Sequence, residues 1–188
     1  QASNGRMMPI NTFSSEILRK LHKADKFGEL NSDQFLLSLF AMPDMWMRVP
    51  LIAISNAELA NYYDLTEGTC AYIEVFDSNG NYKLQEKLEE AYNKMPASRT
   101  RFDKDLMKLD EQLNVFNQLV NYQRLNIFPK EDDPNQKWYA PGDDLSGFVG
   151  KDSMFVSRIM GWYLSEVQEG LKSGDWTKAD EIIDMIHT

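Results

Sequence analysis

The sequence contains a single cysteine, Cys70, among 188 residues. One cysteine cannot form a disulfide within the chain, and it excludes a CxxC redox pair and a cysteine-rich zinc site. The GxSxG, P-loop and HExxH motifs are also missing, so the sequence indicates none of the catalytic classes that these motifs define.

Long apolar runs are missing as well. The densest stretch, FLLSLFAM at residues 35–42, is far shorter than the roughly 18–20 residues that span a bilayer. Residues 1–10 have no apolar segment of the kind found in signal peptides. The sequence as given therefore predicts a water-soluble chain.

Positive charge is scarce: 20 Lys and Arg stand against 29 Asp and Glu, and the net charge is -9. Such a chain repels nucleic acid and anionic bilayer surfaces, so nucleic acid is excluded as a partner. The content of glycine and proline is also low, and 43% of the residues are hydrophobic, which is enough for a folded core. The length predicts a single domain over residues 1–188.

The pattern that is present is helical. Capping residues predict helix starts at Thr12, at Asn31 with Gln34, and at Ser55 with Glu58. The clearest helix is predicted over residues 99–125, with an apolar seam at spacings of four and three: Phe102, Leu106, Leu109, Leu113, Phe116 and Val120. This spacing predicts a rod about 40 Å long that packs along another helix.

A second long helix follows later in the chain. Its apolar stripe comprises Val156, Met160, Tyr163, Val167 and Leu171, and it is widened by Phe155, Ile159 and Trp162. Because so much of its girth is apolar, we expect this helix to be buried on two sides, and Gly174 to end it. Between the two long helices lies the Asn126–Gly150 loop, in which residues 126–128 and Trp138–Tyr139 are predicted to pair as a hairpin. The prediction is a mainly α single-domain multi-helix bundle with a long irregular loop that holds a small β-hairpin.

Five blocks of the sequence resemble, in order and spacing, the extracytoplasmic soluble region of fused ResB/CcsA-type proteins. They are GRMMPINTFSSEILRKL, FDSNGNYKLQEKLEEAY, RFDKDLMKLDEQLNVF, IFPKEDDPNQKWYAP and SGDWTKADEII, and together they cover residues 5–186. Members of that family are membrane proteins of system II cytochrome c biogenesis. They carry haem across the membrane and present it for attachment to the CxxCH motifs of apocytochromes.

This resemblance implies that the chain is a fragment of a larger integral membrane protein, a soluble domain on the periplasmic side of the inner membrane. The implied partners are the membrane portion of its own chain and apocytochrome c. The implied cofactor is haem handled by the parent protein, with no cofactor and no catalytic residue in this domain, because the family's tryptophan-rich haem-handling signature is missing here. We expect the domain to brace the haem-handling core or to position the apocytochrome.

Four residues are candidates for a site. His22 is a weak candidate for a haem or metal ligand, and its competing interpretation is an ordinary histidine at the end of a helix. Trp46, Trp138 and Tyr139 lie in connectors outside the helical stripes and are candidates for contact with a partner. Their competing interpretation is that they cover the core. No metal site is predicted.

Two rival functions remain open from the residues alone. The first is a free-standing secreted helical protein in which the Asn126–Gly150 loop shapes a groove for a ligand or peptide. The second is a carboxylate-dependent hydrolase, for which Asp132, Asp133, Asp143 or Asp144 would share a pocket with a second carboxylate.

Overall fold

The computed structural model describes residues 6–130 and 133–187, the side chains of 186 and 187 excepted. The described residues form eight α-helices: α1 Ile10–His22, α2 Ser32–Ala41, α3 Pro43–Trp46, α4 Ala57–Tyr63, α5 Gln85–Asn93, α6 Arg101–Val120, α7 Gly150–Ser173 and α8 Thr177–His187. This confirms the mainly α prediction. Within the same residues, no helix combines the length and the apolar character that a bilayer span requires.

The strands are short and pair as antiparallel ribbons of two. They are β1 Lys26–Phe27 with β2 Leu30–Asn31, β3 Ile52–Ala53 with β4 Thr69–Cys70, and β5 Phe128–Pro129 with β6 Trp138–Tyr139. Single 3₁₀ turns cover Tyr72–Val75 and Pro96–Ser98. The last ribbon confirms the hairpin that was predicted inside the long loop.

The chain divides into two compact units. The N-terminal unit comprises Ile10–Leu36 and Met42–Asn117, and the C-terminal unit comprises Leu37–Ala41 together with residues 6–9 and the described residues from Gln118 onward. A single domain over residues 1–188 stays a prediction.

In the N-terminal unit, the predicted seam of α6 is buried at Leu106, Leu109, Leu113 and Phe116, and Phe102 is half-buried. Gln112, a polar residue on the same helix, is buried as well. The Gln112 amide donates to the carbonyls of residues 20 and 21 at 2.8 and 3.2 Å, where α1 leaves backbone oxygens without helical partners.

Helix α2 starts as the sequence predicts. The Asn31 side-chain oxygen accepts from the backbone N–H of Gln34 at 2.9 Å, and the Gln34 side chain accepts from the Asn31 N–H at 3.1 Å. This reciprocal pair is the capping box. The predicted cap at Thr12 is wrong, because α1 begins at Ile10 and the Ser14 hydroxyl already bonds back to the carbonyl of residue 11 at 3.0 Å.

Helix α4 starts one residue later than predicted. Its N-cap is Asn56, whose side-chain oxygen accepts from the Leu59 N–H at 3.2 Å, whereas the prediction named Ser55. The Asn56 amide also donates to Asp105 at 2.8 Å, which fixes the side chain in the capping position. Ser55 instead accepts a hydrogen bond from Lys23.

Helix α6 is shorter than the predicted rod, with 20 residues and a length of about 30 Å. It ends because Tyr122 has a φ of 58°, in the left-handed region. The Tyr122 hydroxyl donates to the Phe40 carbonyl at 2.8 Å, and this bond holds the residue in place.

In the C-terminal unit, α7 packs against α8, and Gly174, with a φ of 77°, ends α7 as predicted. The α7 residues that are buried include Val156, Ile159 and Val167. However, Trp162 is 46% exposed and Leu171 is 58% exposed. The prediction that α7 is buried on two sides is therefore wrong.

Candidate functional site

The β5–β6 hairpin carries one wall of the site. Its register pairs Phe128 with Tyr139 and Pro129 with Trp138. Just beyond β6, the Gly142 N–H donates to the Tyr122 carbonyl at 2.9 Å, so the end of the hairpin is fastened to the turn that ends α6. A Cβ on Gly142 would lie 1.9 Å from the Asn121 carbonyl oxygen, which means that only glycine fits this approach.

An apolar pocket of about 350 Å³ lies between the hairpin, the residues after it and α7. The hairpin side contributes Ile127, Phe128, Pro129, Trp138 and Phe148. The helix side contributes Asp152, Phe155, Val156, Ile159, Met160 and Tyr163. Asp152 is the one charged residue among the described residues of the lining. A volume above 300 Å³ with mostly apolar walls is typical of a binding pocket.

The helix side of the pocket is a single face of α7. From Asp152 to Tyr163 its residues are spaced by three, one, three, one and three, which places them in line along three turns. Asp152 is exposed at one end of this line. At the other end, burial raises the pKa of Tyr163 above its ordinary value, with a smaller contribution from Asp180.

Trp138 and Tyr139 are adjacent in β6 and take different roles. Trp138 is half-buried and lines the apolar pocket. Tyr139 packs edge-on against Phe148 with ring centroids 5.4 Å apart, and its hydroxyl donates to Asp133 at 3.3 Å. The Lys137 ammonium lies 4.4 Å from the centre of the same ring. Partner contact at Trp138 and Tyr139 stays a prediction.

Trp46 does not fit the prediction of a partner contact, because its side chain is only 2% exposed. Its ring packs between Phe27 and Phe35, at centroid distances of 5.1 and 5.0 Å. The connector is not extended here, since Pro43 begins the one-turn helix α3, and this turn directs Trp46 into the core of the N-terminal unit. The prediction is corrected: Trp46 is a packing residue.

His22 is the last residue of α1 and is half-buried. Its Nδ1 lies 2.9 Å from the Leu51 carbonyl oxygen, and its ring packs at 4.8 Å from Phe27. The Nδ1 proton is thus used to join α1 to the segment before β3. Among residues 6–130 and 133–187, no three His, Cys, Asp or Glu side chains are grouped so as to hold a metal ion.

The acidic residues of the long loop mostly serve its own backbone. Asp133 accepts from the N–H of Asn135 at 2.8 Å, Asp143 from that of Ala140 at 2.9 Å, and Asp144 from that of residue 146 at 3.0 Å. The bond from the Asn135 N–H is the main cause that holds the pKa of Asp133 below its ordinary value. Bonds from the side chain and the N–H of residue 146 lower the pKa of Asp144.

Asp143 and Asp144 do line a second, polar pocket of about 390 Å³, together with Lys130 and Lys137. A general acid needs a raised pKa, and the lowered pKa of Asp144 is the opposite of that requirement. Asp132, which the hydrolase hypothesis also named, lies outside the described residues. Among the described residues, Asp143 and Asp144 thus share a pocket as the hydrolase hypothesis required, while the lowered pKa of Asp144 does not suit it as the general acid.

Sequence reasoning proposed a groove shaped by the Asn126–Gly150 loop, but it did not find the α7 wall of the pocket or the role of Asp152. It placed Phe155 and Ile159 in a widened helical stripe, and both line the pocket. The missing signal was available: Asp152 continues the same spacing by three residues towards the N-terminus. The contribution of Phe148 had no local signal, because the loop brings it to the helix only in the folded chain.

The geometry defines a mainly helical protein with an apolar pocket beside a short hairpin. No protein-family model matches the chain. Over 154 residues, or 81% of the chain, it is 34% identical to Protein NrfI of Wolinella succinogenes, and the chain spans 17% of the length of that protein. This similarity supports a cytochrome c biogenesis family.

Proposed function

We propose that the chain is the periplasmic domain of a fused ResB/CcsA-type membrane protein that acts in cytochrome c biogenesis. In this proposal the domain is non-catalytic, and it braces the haem-handling part of its own chain or positions apocytochrome c for haem attachment. Haem is bound by the membrane portion of the parent protein.

The observation that carries the proposal is the similarity over 81% of the chain to a segment of a much longer protein. It agrees with the five ordered sequence blocks. The pocket adds support for a positioning role, because it offers an apolar surface on which another polypeptide can be held.

The first test reads the coding sequence on both sides of the chain. We expect an apolar segment of about 18 or more residues within about 50 residues of each end, because a periplasmic domain of this kind lies between membrane spans. Polar flanks without such segments remove the proposal.

The second test places a photo-crosslinking amino acid at position 138 or position 162 of the intact parent protein during cytochrome maturation. Position 138 lies in the pocket wall, and position 162 lies on the exposed side of α7. We expect position 138 to crosslink to apocytochrome or to the membrane portion of the same chain. If neither position crosslinks to apocytochrome or to the membrane portion, the positioning role and the bracing role are both refuted.

The third test is a haem titration of the isolated chain, followed by the Soret band. We expect no stoichiometric shift, and no difference between the wild type and His22→Ala, because the tryptophan-rich haem-handling signature is missing from this sequence. A tight one-to-one complex that His22→Ala weakens assigns haem binding to this domain and contradicts the proposal.

A second candidate function is a free-standing secreted protein that binds a ligand or peptide. It is favoured by the pocket itself, since residues of the Asn126–Gly150 loop form one of its walls. The same reading of the coding sequence separates the two candidates: a signal peptide directly upstream and a stop codon soon after Thr188 favour the secreted protein.

A further inference from the structure

We infer that the apolar pocket is a docking site for a polypeptide segment that presents one large apolar side chain next to a lysine or arginine. The inference states the chemistry of the partner that the positioning role requires. It rests on the proposed function only for the identity of the partner polypeptide. The pocket is otherwise argued from its own lining.

The size of the pocket matches a large side chain. A volume of about 350 Å³ is more than twice that of an engineered apolar cavity of roughly 150 Å³ that binds benzene. The indole of a tryptophan, or a phenylalanine ring with a neighbouring methyl group, fills such a space. The walls are suited to these groups, because Trp138, Phe148 and Phe155 supply aromatic surfaces.

The position of the charge favours a polypeptide over a free small molecule. Sites for small molecules usually place a few polar groups so that they fix the orientation of the ligand inside the pocket. Here Asp152, the one charged residue among the described residues of the lining, is exposed at the end of the helical face. An apolar interior with a charged rim is the arrangement of a protein interface, in which an anchor side chain is buried and its neighbours remain in solvent.

The sign of the charge selects the neighbour of the anchor. The described residues that line the pocket include a carboxylate and no Lys, Arg or His. The whole chain carries a net charge of -9, which also attracts a basic segment. A lysine or arginine one or two residues from the anchor can therefore pair with Asp152 while the main chain of the partner stays outside the pocket.

The test measures the binding of three labelled hexapeptides to the full 188-residue chain by fluorescence anisotropy. The first has a central Trp–Lys pair, the second has Trp–Glu, and the third has Ala–Lys. We expect the Trp–Lys peptide to bind about two- to five-fold more tightly than Trp–Glu, as for a solvent-exposed ion pair. We expect the Ala–Lys peptide to bind at least five-fold more weakly than Trp–Lys, because it lacks the anchor.

Matched variants assign the binding to the pocket. Trp138→Ala should weaken binding of the Trp–Lys peptide at least five-fold, while Trp162→Ala, which removes an exposed tryptophan outside the pocket, should leave it unchanged. Asp152→Lys should reverse the preference, so that the Trp–Glu peptide binds more tightly. The same change at an exposed acid of α8, Glu181→Lys, should not reverse it. Circular dichroism and the melting temperature verify that each variant is folded.

Four outcomes overturn the inference. Equal affinity of wild type and folded Trp138→Ala places binding elsewhere, and an unchanged preference in folded Asp152→Lys removes the role of the charge. Binding of 2-naphthylmethylamine as tight as that of the Trp–Lys peptide assigns the pocket to a small molecule. Self-association that Trp138→Ala abolishes, measured by sedimentation, assigns it to a second copy of this chain. These assays use the 188-residue chain alone, so their outcome does not depend on whether the coding-sequence test supports the proposed function.

Discussion

Gly142 is the residue at which a small change should have a large and local effect. In Gly142→Ala, the new Cβ would lie 1.9 Å from the Asn121 carbonyl oxygen and 2.9 Å from the carbonyl carbon of Tyr122. Both neighbours are backbone atoms, so a side-chain rotation cannot relieve the clash. The loop must move away, and the hydrogen bond from the Gly142 N–H to the Tyr122 carbonyl at 2.9 Å is lost with it.

The expected cost combines these two effects. Overpacking typically costs about 1–3 kcal/mol, and a lost hydrogen bond costs about 0.5–1.5 kcal/mol. Their sum, about 1.5–4.5 kcal/mol, should lower the melting temperature of a chain of this size by roughly 3–18 °C. Circular dichroism and differential scanning calorimetry measure the melting temperatures of the variant and the wild type.

Gly161→Ala is the matched control for this substitution. Gly161 lies within α7, and a Cβ there meets no atom within 4 Å. Alanine should therefore stabilise the helix by about 0.5–1 kcal/mol through its higher propensity. A Gly142→Ala protein as stable as the wild type would show that the loop does not approach the end of α6 as described.

Three further predictions concern the N-terminal unit. Asn56→Ala should lower the free energy of unfolding by about 1–2 kcal/mol in urea titrations. Ser55→Ala should change it by less than about 0.5 kcal/mol. A larger loss in Ser55→Ala than in Asn56→Ala would place the cap at Ser55. The Asp103 carboxylate has its pKa lowered from 3.8 to about 2, chiefly by Lys94 and then by the Thr100 N–H, so its stabilising effect is present above about pH 4 and is lost as the pH falls towards 2. A plot of melting temperature against pH should be flatter over that window in Asp103→Asn, and superimposable slopes would contradict the assignment. Burial raises the pKa of the Cys70 thiol to about 12. Iodoacetamide in mildly alkaline buffer should therefore alkylate this thiol only after the chain is unfolded in urea, which mass spectrometry would show. Rapid alkylation of the native chain would contradict the burial of Cys70.

The sequence signals that succeeded are local ones. The seam of α6 and the Asn31–Gln34 capping box depend on residues three or four apart, and these contacts form within one helix whatever surrounds it. The hairpin at β5–β6 was found from its turn-rich loop and its aromatic flanks. These features could be predicted because each is decided by its own segment.

One local signal was present and was overlooked. Thr100 and Asp103 form a reciprocal cap at the start of α6: the Thr100 hydroxyl accepts from the Asp103 N–H at 3.2 Å, and the carboxylate accepts from the Thr100 N–H at 2.7 Å. The Thr-x-x-Asp spacing is the usual mark of such a start. It would have placed the beginning of α6 at Arg101 instead of residue 99.

The remaining differences come from tertiary structure. The burial of Trp46 depends on Phe27 and Phe35, and neither its own sequence neighbourhood nor its hydrophobicity reveals whether a loop tryptophan points in or out. The pocket depends on the loop being fastened at Gly142, a contact between residues 20 positions apart. Helix α7 is apolar around more of its girth than the fold covers, so periodicity alone overstated its burial.

The placement of the four tryptophans has a spectroscopic consequence. Trp46 belongs to the N-terminal unit and is shielded from water, whereas Trp138, Trp162 and Trp176 all belong to the C-terminal unit and are half-buried or exposed. A chain that keeps only Trp46 should fluoresce at short wavelength and shift to the red when the N-terminal unit melts. A chain that keeps only Trp138 should report the state of the C-terminal unit through quenching of its fluorescence by iodide. Each unit therefore contains a tryptophan whose fluorescence can follow its unfolding.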